Sequence, residues 1–542
     1  MSETLWDFII VGAGSAGCVL ANRLSHNGRY RILLLEAGGS DKRFWIQTPI
    51  GYGKTFFDPS VNWMYRTEPE PYLNNQSSYW PRGKVLGGSS SINAMVYIRG
   101  QAADYEDWKD LGNSGWGWQD VLPYFMKSET FAGGDDEYRG RDGPLHVCDP
   151  SADYHPLCRE FIKASEQFGF RYNPDFNGED QEGVGVYQIT TKNGRRMSAA
   201  RAYLDPARGN LNLQIETGAM VEKILFDGNN AIGVEYRQND QLKTAKAHRE
   251  VILSAGSINT PQLMQLSGLG PESLLKKHDI PIIKKVEAVG QNLQDHLGYS
   301  HYYRSKVPTL NNQLSPWWGK MFAGIQYLLT RKGILSLSVN QAGGFIRSHP
   351  DRPRPNLQLY FAAITYTTVP SGTRPLMKPD NFPGVLNSIG QLRPRSRGYL
   401  EIQSTSPGVH PKIVPNYLSD EEDRLEMLEG ARLLRQMAKM PALAAIIKDE
   451  MTPGSKHQSD EELIQDIRQR STTVFHPTST CRMGPNPETA VVSSDGKVYG
   501  IAGLRIVDAS VFPTLIAGNT NAPVIMLAEK IADNILSESS HT

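Results

Sequence analysis

A short apolar run at the start of this chain leads directly into a glycine-rich turn, and an acid follows at a set distance. Asp7, Phe8, Ile9, Ile10 and Val11 suit a buried strand. Gly12-Ala13-Gly14-Ser15-Ala16-Gly17 then forms a GxGxxG turn opening a small-residue helix, and a second apolar run from Arg31 to Leu35 ends at Glu36. Strand, turn, helix, strand, acid is the order of a dinucleotide-binding unit. Glycines let the backbone turn sharply and approach a pyrophosphate, and a helix N-terminus offers unpaired N–H groups to its charge. Glu36 stands nineteen residues past Gly17, where a carboxylate can accept hydrogen bonds from ribose hydroxyls. Gly12, Gly14, Ser15, Ala16, Gly17, Glu36 and Ala37 are therefore candidate cofactor-binding residues.

At 542 residues the chain is too long for one small core. Similar cofactor-type signals recur at 5–40, 81–100, 211–270 and 472–535. The stretches between them, 45–80, 145–205 and 300–470, are richer in aromatics, prolines and irregular loops. A nucleotide domain built from separated segments, with a second domain inserted between them, is the organisation this predicts. The 57 basic residues balance 57 acidic ones, which gives no footprint for nucleic acid. Cys18, Cys148, Cys158 and Cys481 lack metal-ligand spacing and read as reduced thiols; no metal is expected. The N-terminus carries Glu3 and Asp7 rather than a basic patch, so no signal peptide is expected. No run approaches the roughly 18 apolar residues of a membrane span. The expected location is the cytoplasm, with peripheral contact at the inner membrane left open. Oligomeric state is not readable from the sequence.

Several elements read locally. Val221–Phe226, Ala231–Tyr236 and Glu250–Leu253 look like strands, with a hairpin turn at Asp227-Gly228. Leu425, Met427, Leu428, Leu433 and Leu434 suggest a helix over 420–440 with Asp420 near its start. Val251 to Ser254 reads as a strand entering a turn, then a helix started by Pro261. A last helix is expected near Pro523–Ala532.

Two blocks carry more than local structure. Arg82-Gly83-Lys84-Val85-Leu86-Gly87-Gly88-Ser89-Ser90-Ser91-Ile92-Asn93 is a tight, donor-rich segment, and Gly256-Ser257-Ile258-Asn259-Thr260-Pro261 through Gly270 follows a strand. Together they resemble the two signature motifs of the glucose–methanol–choline (GMC) oxidoreductases, in their choline-dehydrogenase-like branch. Three further blocks agree: Val289 to His296, His476 to Gly484, and Asp508-Ala509-Ser510 through Gly518-Asn519-Thr520-Asn521-Ala522-Pro523.

The resemblance spans nearly the whole chain. It implies an α/β fold: a Rossmann-like FAD-binding domain (1–44, 81–144, 206–299 and 471–542) with an interleaved antiparallel-sheet, α+β substrate domain (45–80, 145–205 and 300–470). It also implies FAD and the oxidation of an alcohol by hydride transfer to flavin N5. Val85, Gly88, Ser89, Asn93, Ala94, Met95, Val96, Val221, Asp508, Ala509, Asn519 and Thr520 are carried over by motif position as cofactor neighbours. Some relatives attach FAD covalently through a histidine that corresponds to Ile92 here, so non-covalent FAD is expected.

The chemistry needs a base for the hydroxyl proton, and a neutral histidine suits that task. The resemblance assigns it to His476, with Asn519 as the partner that orients the hydroxyl; Asn519 could also cap the last helix. Phe475 is a candidate pocket wall. Asp295-His296 suggests a triad, but no GxSxG elbow accompanies it. Arg195, Arg196 and Arg201 read as an acidic-group site or, more simply, as a solvated or helix-start cluster. Trp317, Trp318, Tyr360, Phe361 and Tyr366 read as core, or as pocket lining. The leading expectation is a dehydrogenase of a primary alcohol passing electrons to a quinone or other non-NAD carrier. The rivals are an oxidase using O2 and making H2O2, a lyase or photodecarboxylase on the same scaffold, and a non-catalytic flavoprotein.

Overall fold

The computed structural model describes residues 5–366 and 378–538. Two seven-stranded sheets organise it. In the first, strands run in the order Leu213–Thr217, Ile32–Glu36, Leu5–Val11, Gln241–Leu253, Asn230–Gln238, Ala219–Asp227, and Leu504–Ile506 also pairs with Gln241–Leu253. The long strand Gln241–Leu253 changes partner along its length. Its first half pairs antiparallel with Asn230–Gln238, and its last three residues pair parallel with Leu504–Ile506. Leu213–Thr217, Ile32–Glu36, Leu5–Val11 and Val251–Leu253 are mutually parallel, so their C-terminal ends meet at one rim, where ligands bind in open α/β sheets. Ile9, Ile10, Ile32 and Leu34 are fully buried, as expected for a sheet covered on both faces.

The second sheet is antiparallel, in the order Ile447–Thr452, Leu297–Ser305, Gly384–Gln391, Leu357–Ala362, Ala342–Ile346, Gly183–Val186, with Thr472–Thr473 paired to Leu297–Gly298. Helix Glu421–Met437 covers one face. Asp420 caps it, accepting from the N–H of Glu422 at 2.9 Å. Met427, Leu428, Leu433 and Leu434 are buried as their spacing predicts, but Leu425 is 44% exposed; two residues from Met427, it lies about 200° around the helix.

The strand–turn–strand Ala219–Asp227/Asn230–Gln238 forms with Gly228 in its turn. Pro261 does not start its helix. Gly256–Leu266 begins five residues earlier and keeps Pro261 inside. A proline there leaves the carbonyl four residues back without its N–H partner, and that carbonyl, on Ser257, accepts instead from the Thr480 hydroxyl at 2.6 Å. The last helix, Asn521–Glu538, packs against the first, Ser15–Ser25, through Arg23–Glu529 at 2.6 Å and Ser15 Oγ to Asn521 Oδ1 at 2.7 Å. Both N-termini thereby open at the same rim.

Candidate active site

A cavity of about 530 Å³ runs from that rim to the inner face of the second sheet. All the candidate cofactor residues line it except Gly17 and Val85. Gly17 serves the turn: a Cβ there would lie 1.9 Å from the Gly12 carbonyl oxygen. Val85 is buried with Ile46, Val61 and Ile92. Val221 is both buried and a wall residue.

The near end suits a dinucleotide. The first turns of Ser15–Ser25 and Asn521–Glu538 carry no acid to neutralise their positive ends. Gly88 has φ +52°, and a Cβ there would come within 2.8 Å of the Gly14 Cα, so the two glycine turns form one narrow cradle. The serine hydroxyls beside it face inward. Ser90 Oγ donates to Gly87 O and Ser91 Oγ to Leu86 O, both at 2.6 Å, which leaves backbone to face a ligand. Glu36 holds the turn as well as the rim: its two oxygens accept from Ala13 N–H at 2.9 Å and Gly38 N–H at 2.8 Å. Burial pushes its carboxyl up to about 7. Asp508 accepts from Gly256 N–H, Ser510 N–H and the Thr260 hydroxyl, so it ties the start of helix Gly256–Leu266 to the cavity wall. The residues present thus fit FAD: glycine backbone and helix N-termini for a pyrophosphate, a terminal carboxylate for a ribose.

The arginine cluster divides. Arg195 is exposed, whereas Arg196 is buried and donates to Asn93 O at 2.6 Å, Asn93 Oδ1 at 2.8 Å and Ile46 O at 2.9 Å. It clamps the loop through Asn93, neither binding an acidic group nor facing water. Asn93 Oδ1 also accepts from Met95 N–H, and Met95 sits at φ +66°.

At the far end His476 and Asn519 meet, with His476 Nε2 and Asn519 Nδ2 3.1 Å apart. Asn519 does not cap the last helix; its side chain points to His476 and Gln358. His296, 180 residues away in sequence, places Nδ1 2.9 Å from His476 Nδ1. Its Nε2 lies 2.8 Å from the Leu392 carbonyl, which can only accept, so Nε2 carries the hydrogen. Burial pushes His296 down to about 4, so the ring is neutral and its Nδ1 is an acceptor. His476 must then donate from Nδ1. Burial, with His296 and the Arg82 charge nearby, holds His476 well below its ordinary value, so its Nε2 carries a lone pair at the cavity wall, where it accepts from Asn519 Nδ2–H.

The turn carrying His476 is strained and heavily braced. Phe475 has φ +72°, a conformation costing about 1–3 kcal/mol in a non-glycine residue. Its N–H donates to Thr473 Oγ1 at 2.7 Å and its carbonyl accepts from Arg82 at 2.7 Å. Asp295 accepts from His476 N–H and Thr473 Oγ1, each at 2.6 Å, and from the Tyr417 hydroxyl. The Asp295-His296 pair is thus not a hydrolytic triad but the support of His476. Phe475, Tyr360 and Tyr366 line the cavity; Phe361 is core, stacked on Phe161. Trp317 and Trp318 are neither, being exposed on a surface helix.

Residues 6–298 match the N-terminal and residues 394–528 the C-terminal domain of the GMC oxidoreductases. The chain belongs to the GMC oxidoreductase family. An oxygen-dependent choline dehydrogenase of Vibrio vulnificus is 43% identical over 98% of this chain and 94% of its own length. An alcohol dehydrogenase [acceptor] of Pseudomonas putida is likewise 43% identical over 98% of this chain and 96% of its own length. Among solved structures, an FAD-dependent oxidoreductase from Chaetomium thermophilum superposes with a TM-score of 0.88 at 29% identity, covering 99% of this chain and 100% of that one. This member of the family is an FAD-dependent oxidoreductase with the mixed α/β fold that its motifs implied.

Gly88→Ala tests the cradle. The positive φ alone costs about 1–3 kcal/mol, so visible flavin absorbance per purified protein is expected to fall by about fivefold or more under dilution, with the circular dichroism of the fold retained.

Proposed function

We propose that the protein oxidises a primary alcohol to the aldehyde, with His476 Nε2 as the base for the hydroxyl proton. The observation that carries this reading is the hydrogen-bond chain Leu392 O, His296, His476, Asn519, which leaves His476 Nε2 unprotonated on the cavity wall with the Asn519 amide beside it. A hydroxyl seated beside both atoms, in place of the 3.1 Å contact between Nε2 and Asn519 Nδ2, donates to the first and accepts from the second. Asn519 then steadies the oxygen as negative charge develops on it. Bound FAD supplies the two-electron acceptor for the hydride that leaves the carbon. The final electron acceptor would be a quinone or another non-NAD carrier, or O2, which the names of similar oxygen-dependent choline dehydrogenases give for those proteins.

The substrate is an alcohol with an apolar aliphatic or aromatic body. Tyr302, Tyr360, Tyr366, Leu386 and Phe475 wall the far end. The carboxylates among the described lining residues, Glu36 and Asp508, are both taken by N–H groups at the cofactor end. Arg82, partly buried on the cavity wall, adds a positive charge, which disfavours a cationic substrate. Choline remains the rival, since aromatic faces can hold a quaternary ammonium and similar proteins carry its name. An anaerobic panel of benzyl alcohol, octanol and choline decides between them: the apolar alcohols are expected to bleach the flavin. Bleaching by choline alone would reverse the assignment, and no bleaching by any alcohol would defeat it.

His476→Ala is expected to slow flavin reduction about 10²–10⁴-fold, the usual worth of a general base. Because the imidazole value is depressed, the working deprotonated form persists as pH falls. The acid limb of kcat/KM should therefore lie below the ordinary imidazole value of about 6.5; a limb at or above it would contradict the depressed base.

His296 acts through His476 as a positioning residue. His296→Phe removes the acceptor for Nδ1–H and lets the catalytic ring change tautomer, with losses of up to about 10⁴-fold when a base is so misheld. The expected signature is a fall in kcat with flavin content unchanged, partly restored by His296→Asn, whose amide oxygen can accept the same hydrogen.

FAD is held without a covalent bond. Ile92, at the attachment position of some relatives, is buried with Ile46, Val61 and Val85 and offers no nucleophile. Denaturation should release all flavin into an ultrafiltrate; flavin retained with the precipitated chain would contradict this.

A further inference from the structure

One helix turns nearly all its large apolar side chains outward. Of Trp317–Thr330, only Tyr327 is buried. Trp317 is 74% exposed, Phe322 60% and Leu329 80%, and Trp318, Met321 and Leu328 are exposed beside them. Isolated exposed leucines are ordinary in a folded protein, but a contiguous apolar patch marks an interaction surface.

The inner side fixes the helix in place. The Tyr327 hydroxyl donates to Gly194 O at 2.9 Å, and its ring packs with Ile50 and Leu335. Val339 packs against the same cluster and also lines the cavity. The helix therefore lies about one side-chain layer from the active-site wall.

Charge around the patch has one sign in the sequence. No Asp or Glu occurs from His296 to Pro350, or from Gly183 to Leu204, the stretches that supply the helix and the hairpin beside it, although the whole chain balances 57 against 57. Lys320 and Lys332 are exposed on and just after the helix. Lys192 and Arg195 are exposed on the small hairpin whose Gly194 packs against Arg331.

We propose that Trp317–Thr330 docks this enzyme onto an anionic lipid bilayer, lying in the plane of its surface. Tryptophan, phenylalanine and leucine would sit at the headgroup–acyl boundary, and the lysine and arginine rim would meet lipid phosphates. Fourteen residues make a helix of roughly 21 Å, too short for the roughly 30 Å hydrocarbon core, so the helix lies on the membrane and does not cross it. Consistently, no helix of the described residues is long and apolar enough to span. A second copy of the chain fits the patch less well. One helix face offers only a few hundred Å², against roughly 800 Å² per partner in a standard interface, and a two-fold contact would set the basic rim against itself. Docked this way, the cavity wall stands close to the compartment where apolar alcohols and lipid-soluble electron carriers dissolve.

The test is co-sedimentation of the FAD-loaded protein with vesicles of phosphatidylcholine, alone or mixed with phosphatidylglycerol. The protein is expected to pellet with the mixed vesicles, less with the neutral ones, and less again as salt screens the rim. Trp317→Ser/Phe322→Ser/Leu329→Ser is expected to lower partitioning by about tenfold or more, with alcohol oxidation by a soluble dye unchanged, since none of the three lines the cavity. Lys320→Glu/Lys332→Glu should lose only the preference for phosphatidylglycerol. Wild-type protein left in the supernatant with both vesicles would overturn the proposal. So would a triple variant that pellets as well as wild type, or a concentration-dependent dimer that the triple substitution abolishes and vesicles do not compete with.

Discussion

A buried carboxylate holds the reacting end of the cavity together. Asp295 lies at the start of the second sheet's long strand and accepts from the His476 backbone, the Thr473 hydroxyl and the Tyr417 hydroxyl. These three donors come from segments more than a hundred residues from Asp295, so one side chain fixes where the separate pieces of chain meet. Burial pushes its carboxyl up to about 6, which shows how costly the charge is there. Three donors offset part of that cost. The strained Phe475 turn depends on this bracing, and the direction of the His476 ring depends on that turn.

The same burial that strains the site makes it chemically useful. Two imidazoles in contact, with a guanidinium nearby, cannot both carry charge in a dry pocket, so each is held neutral. Neutrality turns a list of distances into a directed chain. One carbonyl at Leu392 sets the hydrogen of His296, which sets the hydrogen of His476, which leaves a lone pair on the cavity side. Backbone oxygen hydrogen-bonded to His296 thus bears on which nitrogen of His476 is left unprotonated.

The two halves of the molecule divide the work by their geometry. Parallel strands end at one rim and deliver backbone N–H groups, two helix N-termini and Glu36. The antiparallel sheet presents alternate side chains across its register, so Ser300 with Ser388 and Tyr302 with Leu386 form a wall opposite that rim. The acid-free stretch that supplies the far side of this wall also supplies the exposed helix Trp317–Thr330. Substrate pocket and proposed membrane contact are therefore built from one part of the chain.

Much of this was legible in the sequence because it rests on local backbone demands. The GxGxxG turn needs glycine where another backbone passes within a Cβ radius. The strand hairpin at Asp227-Gly228 and the cap at Asp420 follow the same local logic, and the ordered motifs marked His476 and Asn519. Other features depend on what lies opposite. Arg196 read as a solvated or ligand-binding group because no local signal announces four backbone carbonyls converging on it. Pro261 read as a helix start because the rescue of the Ser257 carbonyl comes from Thr480. Trp317 and Trp318 read as core or pocket because hydrophobicity alone does not say which side of a helix finds partners. His296 gives no local signal of its role because its partner His476 lies 180 residues away. The sequence by itself determined the glycine turns of the candidate cofactor cradle, since turns are set by neighbouring residues, and its motifs marked the proposed pair His476 and Asn519. Only the tertiary structure decided the tautomer of His476 and its bracing, since hydrogen bonds between distant segments exist only once the two sheets have met.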